Sequence, residues 1–174
     1  MKKLLYTLLL IFSTLTVHSQ ISLEAYATVG YSAMDVEKWF EQSLEDWGQV
    51  AYGGYVQGIY DLNDDLAVGA EVGYLEYFWL TRQSPFSSGV QELHFSATRV
   101  MLLARYKFGE YGFLEGGLGN NSFDEFSVFT AAIGVGYKIP VSDQLFIPLK
   151  FRTDFLTGEG ITPITLSFGV SYLF

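Results

Sequence analysis

Near the carboxyl end, Ile164, Leu166, Phe168, Val170, Tyr172 and Phe174 alternate with Thr165, Ser167, Gly169 and Ser171 in strict period two. Such alternation predicts a β-strand with one apolar and one polar face, because successive side chains of a strand point to opposite sides. The pattern recurs near 21–31, 48–61, 65–78, 94–108, 112–119, 127–139 and 145–156, which with the last segment makes eight predicted strands. Leu62 to Asp65, Gly109 to Tyr111 and Pro140 to Gln144 read as tight polar turns. The connections 32–47, 79–93 and 120–126 are longer, and Thr157 to Ile161 is the short member of that second set. An even number of strands joined alternately by short and long connections predicts an all-β, antiparallel, up-and-down meander.

Alternation does not say which face points inward, but charge does. Arg99, Arg105, Lys107, Lys138, Lys150 and Arg152 lie on strands opposite the aliphatic and aromatic residues, and Glu24, Glu71, Glu115 and Asp154 share their face. That face is otherwise small: Gly69, Gly73, Gly117, Gly119, Gly134, Gly136, Ser167 and Gly169. The lumen of a closed eight-stranded barrel is just wide enough to be filled by side chains. Leu, Val, Phe and Tyr from every strand would overfill it, whereas glycines and paired charges fit. The apolar face therefore points outward, and no cation has to stand on the lipid side, where it would cost ~2–4 kcal/mol at midplane. Backbone in lipid must satisfy its hydrogen bonds internally, which demands closure. The expectation is an eight-stranded antiparallel up-and-down transmembrane β-barrel with a filled polar interior.

The aromatic residues fit this orientation. Tyr60, Tyr106, Phe108, Tyr137, Tyr172 and Phe174 fall at the lower ends of the descending strands as an outward girdle, and Tyr31, Tyr74, Phe78, Phe129 and Phe155 form a looser ring at the opposite rim. Two places complicate the pattern. Pro148 lies inside the seventh strand, where a missing N–H predicts a bulge or local twist. Tyr52-Gly53-Gly54-Tyr55 fits either parity, and Gln57 is taken as inward.

The first 19 residues differ from the rest. Lys2 and Lys3, the apolar run Leu4 to Leu15 and then Val17-His18-Ser19 predict a secretory signal cleaved before Gln20, leaving a barrel domain at 20–174. The apolar run is short of the roughly 20 residues that cross a bilayer as a helix. Without the leader the chain carries 8 Lys and Arg against 19 Asp and Glu, a net charge of -11 that repels nucleic acid. The absence of Cys excludes a disulfide framework, a thiolate metal site, a cysteine nucleophile and a lipid-bearing cysteine. No metal or cofactor is expected: Asp64-Asp65 and Asp124-Glu125 read as solvated turns, and no helix pattern follows Gly116-Gly117-Leu118-Gly119 as a nucleotide loop requires.

The whole stretch from Ile21 to Phe174 resembles a known family, the small eight-stranded outer-membrane β-barrels of the OmpA transmembrane-domain and OmpX type. The most specific element is Phe168-Gly169-Val170-Ser171-Tyr172-Leu173-Phe174, which is similar to the family's terminal insertion signal, read by the barrel-assembly machinery. The resemblance implies the outer membrane of a Gram-negative bacterium, outer-membrane lipid as surroundings and a monomeric barrel with no peptidoglycan-binding domain after it. Members serve as adhesins, structural proteins, narrow pores or lipid-modifying enzymes, so the resemblance does not choose among these roles.

Candidate chemistry lies in three places. On the inner face, Glu24, Glu71, Glu115 and Asp154 are expected to pair with Arg99, Arg105, Lys150 and Arg152, because buried charges are tolerated only when paired. That predicts a plugged core and a structural or surface-binding role through the loops, the alternative being a narrow channel. Lys107 and Lys138 fall near the rim. In the first loop, Val36, Trp39, Phe40, Leu44 and Trp47 have helical spacing, so a short amphipathic helix is expected, with Trp39, Phe40 and Trp47 as a rim lid or anchors for an extracellular ligand. Finally, His94, Ser96 and Glu76 share the outward parity of one hairpin, which would suit a base, a nucleophile and an orienting carboxylate. The His94-Phe95-Ser96 pattern resembles that of the outer-membrane lipid A deacylases, although it stands on the fourth strand and Ala97 follows where that family has Asn. The expected function is non-enzymatic, since at headgroup level these polar residues are tolerated without a role. A soluble lipocalin-like carrier would require the faces to be inverted.

Overall fold

The computed structural model describes residues 20–33, 46–83, 90–124, 126–157 and 161–174. Its strands are β1 (Ile21–Ala33), β2 (Asp46–Gly48), β3 (Val50–Asp61), β4 (Leu66–Gln83), β5 (Val90–Phe108), β6 (Gly112–Ser122), β7 (Ser127–Pro140), β8 (Leu145–Leu156) and β9 (Thr162–Leu173). Every pairing is antiparallel, and β1 pairs with β9 while β4 pairs with β5, so the sheet closes on itself. Eight strands make the up-and-down barrel, and the short β2 pairs with the extension of β4. Ladder partners traced from Thr98 through Tyr74, Gly54, Ala27, Phe168 and Leu149 reach β7 at Tyr137, whereas those traced through Ser122 reach it at Ser127. That offset of ten residues is the shear of the barrel, which tilts eight strands by roughly 40°.

Local chemistry sets the turns at one end. Asn63 Oδ1 accepts from the N–H groups of Asp65 at 2.9 Å and Leu66 at 2.8 Å, an Asx-type reversal. Gly109 takes φ of 60°, a left-handed conformation that glycine adopts without a Cβ penalty. Ser142 Oγ accepts from Leu145 N–H at 3.2 Å in the third turn.

The other end departs from the sequence expectation. The β4–β5 hairpin runs to Gln83 and Val90, so most of the connection expected at 79–93 is strand. Pairing requires only a partner strand, and Trp79 and Val90 are good strand formers, so the hairpin continues beyond the apolar belt. A bulge lies within the hairpin: the register passes from Glu76 opposite Ser96 to Phe78 opposite Phe95, and Tyr77 is the extra residue. The ladder is interrupted there, and the side chain of Phe78, expected in the outer ring, lies outside the described residues. β6 extends to Ser122, and the connection expected at 120–126 shrinks to a tight turn in which Phe123 N–H donates to Phe126 O at 2.8 Å. Asp46–Gly48 is strand rather than the end of a helix, with Trp47 opposite Leu80. The rest of the segment expected to be helical, with Trp39 and Phe40, and the leader at 1–19 lie outside the described residues.

Pro148 produces no bulge. It pairs with Lys138 on β7, but on the β9 side the ladder skips Ile147 and Pro148 and resumes in the same register at Leu149. The missing N–H removes rungs without inserting a residue.

The interior is layered. Leu75, Tyr77, Ala97, Val128, Leu156 and Ile161 form an apolar layer near the long-loop end, with Phe95, Phe123 and Phe126 packed on it. Charged residues fill the middle, and Ile59, Ala67, Met101 and Leu103 line a second apolar cluster. Three inward rings also find room, contrary to the expectation of a lumen of glycines and charges alone. Tyr26 stands opposite Gly169, Tyr55 opposite Gly73 and Phe113 opposite Gly136. The Phe113 ring occupies the volume that Gly136 leaves open, Tyr55 Cβ lies where a Cβ of Gly73 would be, and at Gly169 the backbone of Ala25 and Tyr26 takes that space.

Candidate functional site

The eight interior charges form two clusters. In the first, Arg99 and Arg152 alternate with Glu71 and Asp154 in a closed ring: Arg99 Nε–Glu71 Oε1 2.6 Å, Glu71 Oε2–Arg152 Nη1 2.7 Å, Arg152 Nε–Asp154 Oδ1 2.6 Å and Asp154 Oδ2–Arg99 Nη1 2.7 Å. In the second, Arg105 donates from Nη1 and Nη2 to both oxygens of Glu24, at 2.9 and 2.8 Å, and from Nη2 to Glu115 at 2.7 Å. Lys150 Nζ meets the other oxygen of Glu115 at 2.7 Å. Gln57 bridges the clusters, donating to Glu71 at 2.5 Å and Glu115 at 3.2 Å. All eight charged residues are buried, so four cations face four anions out of water. Ring faces add to the cation side: Lys150 Nζ lies 4.6 Å from the Tyr26 centroid and Arg105 4.1 Å from that of Phe113.

Toward the short turns the network reaches water. Lys138 Nζ contacts Glu24 Oε1 at 2.7 Å with its side chain 22% exposed, and Lys107 contacts Asp61 at 3.1 Å. At the opposite end the apolar layer built on Leu75, Tyr77, Val128 and Leu156 lies over the ring of arginines and acids.

The outer wall carries the apolar residues. Leu66, Val68, Val72, Tyr74, Val100, Leu102, Leu118, Ile133, Val135, Phe151, Leu166 and Phe168 are exposed, which gives a continuous band around the barrel. Tyr106, Phe108, Tyr137, Tyr172 and Phe174 are exposed at its lower edge, with Tyr60 half-buried beside them. Tyr31, Tyr74, Phe129 and Phe155 are exposed along the upper edge. From Leu66 to Tyr74 on the tilted β4, about 3.3 Å per residue gives a band roughly 20 Å tall, close to the ~25 Å of a membrane barrel. Above it, Thr98, Asn120, Ser122 and Ser127 mark the polar boundary. Leu102→Lys is expected to cost ~2–4 kcal/mol and Asn120→Lys no more than ~1 kcal/mol, checked by urea unfolding in lipid vesicles. Equal costs at the two depths would refute a lipid belt.

Just above that boundary the structure brings three outward side chains together. Glu76 Oε1 meets His94 Nδ1 at 2.8 Å, and Tyr52 donates its hydroxyl to Glu76 Oε2 at 2.7 Å. Ser96 stands opposite Glu76 in the ladder and two residues from His94 on the same face of β5. The link from Tyr52 was not visible in the sequence, because the glycines beside it left the parity of β3 open. Of the aromatic residues expected as loop anchors, Trp47 is placed only by its backbone in β2.

No family model matches the chain, and no curated protein matches it. Solved structures do. The Neisserial surface protein A has a TM-score of 0.61 at 12% identity, with 90% of this chain and 97% of that one covered. OprG of Pseudomonas aeruginosa has a TM-score of 0.55 at 12% identity, covering 90% and 95%. Ail, the attachment invasion locus protein of Yersinia pestis, has a TM-score of 0.52 at 18% identity, covering 90% and 97%. With its closed sheet, outward apolar band and near-complete coverage of these structures, the chain has the fold of the small eight-stranded outer-membrane β-barrels.

Proposed function

We propose that the chain, after removal of the leader at 1–19, is a monomeric outer-membrane barrel whose interior is a plug and whose contacts with partners are made by its outer surface and long loops. The observation that carries this reading is the ion-pair lattice, in which each of the four buried acids meets two cations within 2.9 Å, Lys138 at the rim being the second partner of Glu24. A conducting lumen needs groups free to exchange partners with passing ions. Here each carboxylate is shared between cations, and an apolar layer built on Leu75, Val128 and Leu156 lies above them. An attachment role has a precedent in the fold, since Ail is an attachment invasion locus protein. The segment between β1 and β3 carries Asp35, Glu37, Glu41, Glu45 and Asp46 against Lys38, so a cationic partner fits it better than an anionic one. The final strand through Phe174 serves insertion by the barrel-assembly machinery.

The test is conductance in planar lipid bilayers. The folded protein is expected to give no steady single-channel steps at moderate voltage and salt. Reproducible steps that change when Glu71 is replaced by Gln would favour a narrow channel instead. In the same preparation, the gel mobility of the folded protein should change on boiling, as it would not for a soluble carrier with inverted faces.

A further inference from the structure

The lower edge of the barrel carries a site that neither the plug nor the loops use. We propose that a groove in the apolar band, together with a polar pocket under its rim, binds one phospholipid of the inner leaflet and selects a phosphoethanolamine headgroup.

The groove is a break in a bulky wall. Gly58 on β3 stands opposite Ala70 on β4, and a Cβ at Gly58 would meet nothing within 4 Å. Ile21, Tyr60, Val68 and Leu102 stand around it and bound a volume of about 450 Å³, within the ~300–1,000 Å³ of small-molecule pockets. The walls are apolar but for the phenol of Tyr60, and the groove opens on the face that meets hydrocarbon. An acyl chain seated there restores the dispersion contacts that a depression in the wall would otherwise forfeit. A second copy of the chain fits less well. In a two-fold contact groove would face groove, leaving a void and bringing Asp61 and Asp64 toward their own counterparts.

Charge selects the headgroup. Ile21 and Tyr60 are ladder partners, and Gln20 O accepts from Asp61 N–H at 3.1 Å, so the rim below the groove is one rung thick. Under that rim Gln20, Asp61, Asn63, Asp64 and Lys107 line a pocket of about 360 Å³. Asp61 and Lys107 have the inward parity of their strands, so the pocket opens downward at the barrel mouth and a headgroup enters by folding under the rim. Lys107 Nζ lies 3.1 Å from Asp61 with the two side chains 30% and 24% exposed, so their pairing yields to a ligand without stranding a buried charge. Asn63 Oδ1 is already committed to the turn. With the leader removed, the α-ammonium of Gln20 joins Lys107, and two cations stand among the carboxylates of Asp61 and Asp64. This arrangement complements a zwitterion whose phosphate accepts from Lys107 and whose protonated primary amine donates to the two acids. Phosphoglycerol brings those acids no cation, and phosphocholine has no N–H to donate. The assignment rests on a membrane barrel with its short turns toward the periplasm, and not on the plug.

Native mass spectrometry of the folded protein tests it, in detergent micelles holding equal amounts of phosphatidylethanolamine, phosphatidylcholine and phosphatidylglycerol with identical acyl chains. The wild type is expected to retain one phosphatidylethanolamine at least ~3-fold over either of the others. Gly58→Leu fills the groove and should lose that adduct, with the boiling-dependent gel shift showing that the variant is folded. The double variant Asp61→Asn with Asp64→Asn lies at the exposed turn, keeps the groove, and should retain the three lipids equally; it decides the matter even if Gly58→Leu fails to fold. Equal retention of all three by the wild type, or a preference unchanged in the double variant, would overturn the headgroup site. An adduct undiminished in folded Gly58→Leu would overturn the groove, and a lipid-free dimer broken by Gly58→Leu would make it a self-contact instead. Failure of the barrel itself would show separately, as a wild type without the gel shift.

Discussion

Replacing Arg152 by Met is expected to destabilise the folded barrel by ~3–5 kcal/mol, read as a shift in the urea midpoint of lipid-refolded protein. Arg152 contacts Glu71 at 2.7 Å and Asp154 at 2.6 Å, and both acids are buried. Without it, Arg99 alone faces two carboxylates in a ring that was neutral. The penalty is that of stranding a buried charge, and it exceeds what the intact pair contributes. The double variant Arg152→Met with Asp154→Asn restores neutrality and is therefore expected to recover most of the loss. Lys107→Met, at the partly exposed pair with Asp61, should change stability by less than ~1 kcal/mol. A small effect of Arg152→Met would mean that the lumen is hydrated, and would undermine the plug together with the ion-pair account.

The same charges explain how much of the fold was legible in the sequence. Period-two alternation shows two faces but not which one is inside; Arg99, Arg105, Lys150 and Arg152, all on one parity with Glu71 and Asp154, settle it because lipid cannot accept them. The turn ends were legible for a similar reason, since Asn63, Gly109 and Ser142 use local chemistry. The upper ends were not. Trp79 and Leu80 continue the strand by pairing with His94 and Leu93 across the hairpin, and no local signal separates that from an apolar loop. The bulge at Tyr77 was hidden because one extra residue leaves composition and average periodicity unchanged. Pro148 announced a defect but not its kind, because a missing donor can be accommodated by a gap as well as by an insertion. In the outer cluster, His94, Ser96 and Glu76 were legible by parity alone, whereas Tyr52 needed the register of β3 against β4.

Gly169→Val is expected to abolish the folded barrel, with no boiling-dependent gel shift and a cost above ~3 kcal/mol. Gly169 closes the seam between β9 and β1, where it stands opposite Tyr26. A Cβ at this position would run into the carbonyl oxygen of Ala25, with Ala25 C at 2.9 Å and Tyr26 Cα at 3.1 Å. These are backbone atoms, so no rotamer change can relieve the clash, and moving β1 breaks the ladder that joins the chain's two ends. The strain also spreads inward: Tyr26 stacks on Tyr55 at 4.8 Å, and a Cβ at Gly73 would lie 2.5 Å from Tyr55 Cβ, so a shift of β1 is felt by closely packed neighbours. Gly58→Ala is the matched control. It lies on the outer wall with nothing within 4 Å of a new Cβ, so its stability should stay within ~1 kcal/mol of wild type. Folding of Gly169→Val with wild-type stability would show that the seam is looser than this packing requires. Failure of Gly58→Ala would instead mean that the outer wall tolerates no added volume, and that the clash at the seam is not what distinguishes the two sites.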